Sequence, residues 1–324
     1  MTCFCGFSEY LSYLYFEMIN SDTECLEGKE NMSLLFDGIS RYLSGISDRD
    51  EILIKTSVTG RRNKNHEIRT KLLSEIIKHV REKYPHNRVY LCDGPAYEPL
   101  LSNEYNRLGW QKLIQQYDID VFDLNYGEVI YIDGVWPVSK KWISAPKVIN
   151  ICKAKTHNRL GVTLASKNLI GTLSGSRMGY PKLYHQHKNL QRIMYSLLYC
   201  RKDMYNIIDG IKGVEGNGPM NGNIANSYFV VFGTNAFICD IRAMIEMGFH
   251  PAATQYAIVP INSKEKCFID TISVNDYFCK IRKSNFDYLP NLSFPWMFKS
   301  LYYDEKRLIS IYNALSEVTL SNWE

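Results

Sequence analysis

The stretch of sequence that decides the fold lies at residues 147–172, KVINICKAKTHNRLGVTLASKNLIGT. Its largely apolar segment at 148–152 predicts a buried strand. A loop is expected to follow directly, and it carries Lys153, Lys155, His157 and Arg159. Cations and an imidazole delivered by a strand into one loop are typical of ligand sites at the carboxyl ends of strands in α/β proteins. The alternative is a solvated basic turn, because lysine and arginine are mostly surface residues.

Strand-like and helical patterns alternate on both sides of this stretch. Strands are expected at 51–58, 88–92, 121–124, 127–133, 228–232 and from Tyr205 onward. Helices are expected at 31–43, 67–82, 104–117 and 182–200. Strands separated by helices predict βαβ units, and therefore an α/β fold with a mostly parallel sheet flanked by helices. A division of this fold into two lobes with a cleft between them is compatible with the length of 324 residues.

Three segments are expected along the chain. Residues 1–45 predict an N-terminal helical segment, and residues 46–262 hold the alternating pattern of the α/β core. Residues 263–324 form a C-terminal extension that is rich in aromatic side chains. The extension is interpreted as packing or interface surface, and a homo-oligomer is compatible with it.

A second polar cluster lies at residues 207–222, IIDGIKGVEGNGPMNG. Asp209 and Glu215 stand there among five glycines, and glycine permits positive φ and a close approach of the backbone to a ligand. Successive N–H groups in such a loop can form a concave anion site, to which Gly216 and Gly218 would contribute. The alternative is a purely structural loop, since the run has neither of the glycine spacings that mark nucleotide-binding loops.

Two further segments offer ligand-binding side chains. Residues 56–65, TSVTGRRNKN, place Arg61 just before a predicted helix, where a carboxylate or phosphate could be held, although a solvated basic loop is an equal alternative. His185 and His187 are two positions apart and would point to different faces of a helix. One of these histidines is therefore favoured over both as a metal ligand.

Composition excludes several classes of protein. The net charge of +4 is too small for the basic stripe that a nucleic-acid-binding surface needs. Apolar runs are too short for a membrane-spanning helix, and the first residues lack the pattern of a secretory signal, so a cytoplasmic protein without a membrane partner is expected. The nine cysteines include no CxxC, and the compact spacing of a ferredoxin-type iron–sulfur cluster is absent from the sequence.

Three motifs carry a resemblance to a known family. The patterns KxKTHxxxGVTLxxKNLxG at 153–171 and NIIDGIxGxEGNGP at 206–219 resemble the signature of the domain of unknown function 362 family, and ILIKTSVTG at 52–60 is similar to its opening strand. The resemblance covers roughly residues 50 to 260. It implies an α/β domain, and for most members of the family the activity is not established.

A second resemblance concerns chemistry. The spacing His157-x3-Gly161-x5-Lys167 is similar to the motif of nickel-pincer lactate racemases. It implies that Lys167 anchors a pincer-type cofactor, that His157 acts as an acid or base, and that His185 or His187 binds nickel or another metal. Ala165 and Ser166 stand where those enzymes carry a glycine pair, which puts the cofactor itself in question.

These patterns favour an enzyme that acts on a small anionic molecule, a carboxylate or a phosphate, by proton- or hydride-transfer chemistry. Such an isomerase, racemase or oxidoreductase would use His157, Lys155 and Glu215 for catalysis. Ligand and cofactor contacts are expected from Lys167, Asn168, Arg61, Gly216 and Gly218. The alternative is a protein without turnover, a redox partner, maturation factor or ligand-binding protein of a biosynthetic pathway.

Overall fold

The computed structural model describes residues 24–27, 32–58, 66–96, 100–157, 160–175, 186–201, 203–227, 229–247 and 249. The strands within these ranges are β1 Glu24–Glu27, β2 Glu51–Lys55, β3 Arg88–Asp93, β4 Asp120–Asp123, β5 Val129–Ile132, β6 Trp136–Ser139, β7 Lys147–His157, β8 Gly161–Thr163, β9 Tyr205–Glu215, β10 Asn223–Ala225 and β11 Phe229–Gly233. The helices are α1 Met32–Leu43, α2 Thr70–Lys83, α3 Leu101–Leu108, α4 Gln111–Gln116, α5 Lys140–Ser144, α6 Ala165–Asn168, α7 Gln186–Cys200 and α8 Ala236–Glu246, and a 3-10 helix spans Leu169–Thr172.

The strands form a mixed, mostly parallel sheet whose main path runs in the order β1-β11-β9-β7-β2-β3-β4. The pairs from β9 to β4 along this path are all parallel, whereas β11 and β1 join antiparallel at one side. The short strands β8 and β10 fold back on β7 and β9, and β5 and β6 form a separate hairpin. The predicted α/β fold with helices around a mostly parallel sheet is confirmed.

The connections run in opposite directions from the centre of this sheet. From β2 the chain moves through β3 to β4, then returns to the other side of β2 and continues through β7 to β9. The strands β2 and β7 are therefore neighbours at a topological switch point. In open α/β sheets, ligands bind beyond the carboxyl ends of the strands at such a point.

Two apolar layers cover the two faces of the sheet. One face packs against α1 to α4, as shown by Ile39, Ile76, Tyr105 and Leu113 in one buried cluster. The other face packs against α5 to α8, with Trp142 among the side chains of a second cluster. Strands that are covered on both faces consist of nearly continuous apolar residues. This explains why the strands could be predicted from the sequence.

The 3.6-residue period of α2 was a sound basis for its prediction. Its buried side chains are Leu72, Leu73, Ile76, Ile77 and Val80, which recur at the three- and four-residue spacing of one helix face. The prediction of a single helix at 104–117 is wrong, because the chain forms two helices there, α3 and α4. Gly109 ends α3 with a φ of 77°, a left-handed conformation that suits glycine and terminates a helix.

Strand β7 is longer than the sequence indicated. Lys153, Lys155 and His157 were expected in a loop, but they belong to the strand, which continues to His157 and turns back into β8. The glycine run likewise begins inside β9, which includes Asp209 and ends at Glu215. Both extensions carry polar side chains past the apolar part of the sheet and to its carboxyl edge.

Candidate functional site

A buried ion pair occupies the carboxyl ends of β2 and β3. The Lys55 side chain is fully buried, and its Nζ donates at 2.8 Å to Asp93 Oδ1 and at 2.8 Å to the Thr56 carbonyl. The Asp93 carboxylate also accepts the backbone N–H groups of Val58 and Gly94. Buried charges are stable only when they are paired and hydrogen-bonded, and both conditions are met for this pair.

A second charged group lies between β7 and β9. The buried Asp209 carboxylate accepts hydrogen bonds from Arg69 Nε at 2.8 Å and from the Arg69 backbone N–H at 3.1 Å. Lys153 Nζ lies 3.8 Å from the same carboxylate. Burial lowers the pKa of Lys153 to about 8, against the opposing attraction of Asp209. This lysine therefore changes its charge far closer to neutral pH than an ordinary lysine does.

A third pair follows two positions along β7. Lys155 Nζ lies 3.5 Å from Glu67 Oε2, and both side chains are fully buried. Glu67 belongs to the segment before α2, as does the buried His66, whose pKa is lowered by burial and then by the charge of Lys155. The His66 imidazole donates to the backbone carbonyls of Gly222 and Pro219 and so connects this segment to the glycine run.

A fourth lysine, Lys167, is carried by the short helix α6. It is partly exposed, and within the described ranges its ammonium has no hydrogen bond or ion pair. Burial, together with the smaller effects of the nearby charges of Lys155 and Lys55, lowers the pKa of Lys167 to about 8. These two cations place Lys167 at the same edge of the sheet as the ion pairs.

The start of α6 is held by a carboxyl group from α8. Asp240 is fully buried and accepts the backbone N–H groups of Ala165 at 2.7 Å and Ser166 at 3.0 Å. An acidic side chain is well suited to this position because the first N–H groups of a helix have no partner within the helix. Burial raises the pKa of Asp240 to about 7, although these hydrogen bonds oppose the shift.

Three asparagine side chains form a chain of hydrogen bonds beneath the lysines. Asn168 Nδ2 donates to Asn150 Oδ1 at 2.8 Å, and Asn150 Nδ2 donates to Asn206 Oδ1 at 2.9 Å. Asn168 also donates to the carbonyls of Thr56 and Ile151. These bonds tie α6 to β2, β7 and β9, so the backbone that carries Lys167 is fixed relative to the strands that carry the other lysines.

The glycine run is attached to β7 through Thr156. The Thr156 hydroxyl donates to the Gly216 carbonyl at 2.9 Å and accepts the Gly218 N–H at 3.1 Å. A side chain at Gly218 would collide with Thr156, and Gly216 has a φ of 74°. Glycine is therefore needed at both positions for this contact.

The family model for the domain of unknown function matches residues 52–262. The chain belongs to the domain of unknown function 362 family. The matched segment runs from β2 past α8, and it contains every charged group described above.

One curated relative was also found for this family member. A thylakoid-associated protein of Synechocystis sp. is 28% identical over 184 residues, which cover 54% of this chain and 56% of that protein. The chain thus spans about half the length of the curated relative it matches. Within the described part of the chain, every helix is too short or too polar to cross a membrane.

The residues predicted for catalysis lie at the ends of β7 and β9. Lys155 is in the register position next to Val214 of β9, the residue before Glu215. The Nδ1 atom of His157 accepts the Leu160 N–H at 3.2 Å, so a neutral ring carries its proton on Nε2. His157 is therefore arranged to donate a hydrogen bond from Nε2 while it also shapes the turn into β8.

The predicted ligand-binding residues are only partly described. Lys167 and Asn168 lie together on α6, and Gly216 and Gly218 lie in the turn after β9. Arg61 and His185 lie outside the described residues, and His187 lies in the first turn of α7 with its side chain outside them. In the ranges that are described, no group of three or more histidine, cysteine or acidic side chains is arranged to hold a metal ion.

Sequence reasoning missed the partners of the lysines. Glu67 and Arg69 were assigned to a helix that begins only at Thr70, and Asp240 carried no signal at all. Lys55 was predicted to lie in a strand, as it does, but no functional role was predicted for it. A buried lysine within an apolar strand is itself a signal, because such a charge needs a carboxylate or a ligand nearby.

Proposed function

We propose that this protein is an enzyme that acts on a small anionic substrate, a carboxylate or a phosphate, by proton- or hydride-transfer chemistry. The observation that supports the proposal is the set of three fully buried lysines at the carboxyl ends of β2 and β7, namely Lys55, Lys153 and Lys155. These strands flank the topological switch point, which is the usual ligand site of such a sheet.

The charges in this region favour an anionic ligand. Among the described residues of this region, four lysines and Arg69 outnumber four carboxylates, those of Asp93, Asp209, Glu67 and Glu215. An excess of positive charge in a poorly solvated place is costly, and an anion from solution would offset it. Thr163 lies next to Lys155 in the register of β8 and β7, and its buried hydroxyl has no hydrogen-bond partner in the described structure. That hydroxyl is available to a ligand.

Two of the lysines have a pKa suited to proton transfer. General acids and bases work best when their pKa lies near the working pH, and burial brings the pKa of Lys153 and of Lys167 to about 8. In this proposal Lys167 exchanges the proton, because it has no carboxylate partner and is partly exposed. Lys155 holds the substrate anion, and His157 and Glu215 complete the predicted set.

The cellular location, the partner and the cofactor of this activity are also proposals. We retain the cytoplasm as the expected location, with a small molecule as the partner. The name of the Synechocystis relative makes association with a thylakoid membrane the alternative. A nickel-pincer cofactor or another metal stays a prediction of the resemblance to lactate racemases, since His185 and the side chain of His187 lie outside the described residues.

The first test measures anion binding and proton exchange together. Glycolate and inorganic phosphate should each raise the melting temperature of the protein, whereas uncharged ethylene glycol should not. Nuclear magnetic resonance in deuterated water would then follow the exchange of α-protons in a panel of small carboxylates. We expect the Lys167→Met variant to lose exchange by about a hundredfold or more, in the range of a general acid or base.

The exposed Lys212 provides a matched control, because it lies on β9 and carries the same functional group. A Lys212→Met variant should keep both binding and exchange. If no anion stabilises the protein, the proposal is wrong. If anions bind but neither proton exchange nor redox turnover occurs, the alternative of a ligand-binding or maturation protein without catalysis is favoured.

A further inference from the structure

We propose that the Lys167 amine forms an imine with the carbonyl group of a small 2-oxo acid, so that carboxylates with an adjacent carbonyl are the substrate class of this site. This inference rests on the proposed function, because the same surrounding cations hold the carboxylate. It goes further by assigning a covalent step and a nucleophile.

The pairing of the lysines singles out Lys167. Lys55, Lys153 and Lys155 each lie within 4 Å of a buried carboxylate, at 2.8, 3.8 and 3.5 Å respectively. Lys167 has no such partner in the described part of the chain. A carboxylate partner favours the protonated ammonium, which cannot attack a carbonyl, and it also keeps the nitrogen directed at the carboxylate, as at Lys153 beside Asp209. Lys167 is the lysine of this cluster that is arranged to act as a free amine.

Hydrogen bonds fix the position of the helix α6, which carries Lys167. Asp240 fixes the first N–H groups of α6, and Asn168 fixes the other side of the same helix through three hydrogen bonds. A reacting group works best on a rigid element whose position is set by such contacts. Only the four-carbon side chain of Lys167 then has to adapt to the substrate.

Burial, and to a smaller extent the neighbouring cations, favours the neutral amine of Lys167. With a pKa of about 8, roughly a quarter of the Lys167 side chains would be unprotonated at about pH 7.5, compared with about a thousandth of ordinary lysines. A lysine close to other cations and out of water is a known way to obtain a nucleophilic amine. Lys55 and Lys155, which disfavour the Lys167 ammonium, also attract the carboxylate of the substrate.

The reaction is balanced without a further reagent. The Lys167 nitrogen forms a bond to the carbonyl carbon, and the carbonyl oxygen leaves as water with the two protons of the amine. The product is an imine between Lys167 and the oxo acid, and its protonated form withdraws electrons from the neighbouring carbon. That withdrawal acidifies the C–H bond next to the imine carbon. Because the Lys167 nitrogen is then bonded to the substrate, His157 or Glu215 of the predicted set takes this proton in the imine route.

Reductive trapping tests this step on the chain of 324 residues. Glyoxylate and cyanoborohydride are added, the imine is reduced to a carboxymethyl amine, and peptide mass spectrometry locates the added group. We expect Lys167 to be labelled at least tenfold faster than the exposed Lys212, and excess glycolate to slow the labelling of Lys167 alone. A Lys167→Arg variant keeps the charge but cannot form the imine, and its circular dichroism and melting temperature check that it folds.

The outcomes separate the inference from the proposed function. Labelling of Lys167 at the rate of Lys212, or labelling that glycolate does not slow, overturns the inference. If glycolate raises the melting temperature in that case, anion binding stands and only the imine is wrong. If neither glycolate nor inorganic phosphate raises the melting temperature, both the inference and the proposed function fail.

Discussion

Replacing Asp240 with asparagine should change how the stability of the protein depends on pH. The folded chain retains the Asp240 proton up to about pH 7, whereas an unfolded chain releases it near the ordinary value of 3.8. The native state therefore binds more protons between these two values, and its stability falls as the pH rises through that window. A shift of about three units corresponds to about 4 kcal/mol in total, of which about 3 kcal/mol falls between about pH 5 and about pH 8.

Urea unfolding of the native protein and of Asp240→Asn across that pH range measures the effect. The asparagine does not titrate, so the stability of the native protein relative to the variant should fall by about 3 kcal/mol as the pH rises. A constant penalty of about 1–3 kcal/mol is also expected, because the amide nitrogen faces one of the two N–H groups of α6. The exposed Asp48, changed to asparagine, is the control. Parallel curves for the native protein and Asp240→Asn would refute the reasoning.

Three other substitutions have defined outcomes. Gly216→Val should lower stability by about 1–2 kcal/mol through its positive φ, while Gly216→Asn should cost less, as melting curves would show. The free energy of unfolding of the native protein should rise between about pH 8 and about pH 10, because Lys153 binds fewer protons in the folded state than in the unfolded state there. Lys153→Met should abolish this rise, and an unchanged rise in the variant would count against the low pKa of Lys153. His157→Ala should cost about 1 kcal/mol through the loss of its bond to the Leu160 N–H and reduce turnover at least tenfold, and a much larger drop in melting temperature would make the histidine structural.

The sequence was informative wherever side-chain pattern alone decides the structure. The period of α2 and the apolar runs of β2, β3 and the first half of β7 were sufficient to predict an α/β fold. The motifs at 153–171 and 206–219, with the strand at 52–60, were also sufficient to predict the family, which the match over residues 52–262 confirms. Local composition and spacing determine these features, so no knowledge of distant contacts was needed.

The site depended on contacts that are distant in sequence. Lys153 and Lys155 were expected in a loop because lysine is rarely buried, but Asp209 and Glu67 neutralise them inside the strand. Gly210 was similarly assigned to a loop, although it lies in β9, where the ring of Phe229 occupies the place of a side chain. Each of these partners comes from another segment of the chain, so its identity could not be predicted from local pattern.

The hydrogen bonds of the three asparagines beneath the lysines all run in the same direction from donor to acceptor. Each amide nitrogen points to the oxygen of the next, from Asn168 through Asn150 to Asn206, which donates in turn at longer range to the carbonyls of Gly233 and Thr234. Rotating one amide would set oxygen against oxygen on one side and nitrogen against nitrogen on the other, so the three can reverse only together. Reversing all three would set the Asn168 oxygen against the two backbone carbonyls to which its nitrogen now donates, so the row has a single direction. It joins α6 to the ends of β9 and β11 through groups that do not titrate.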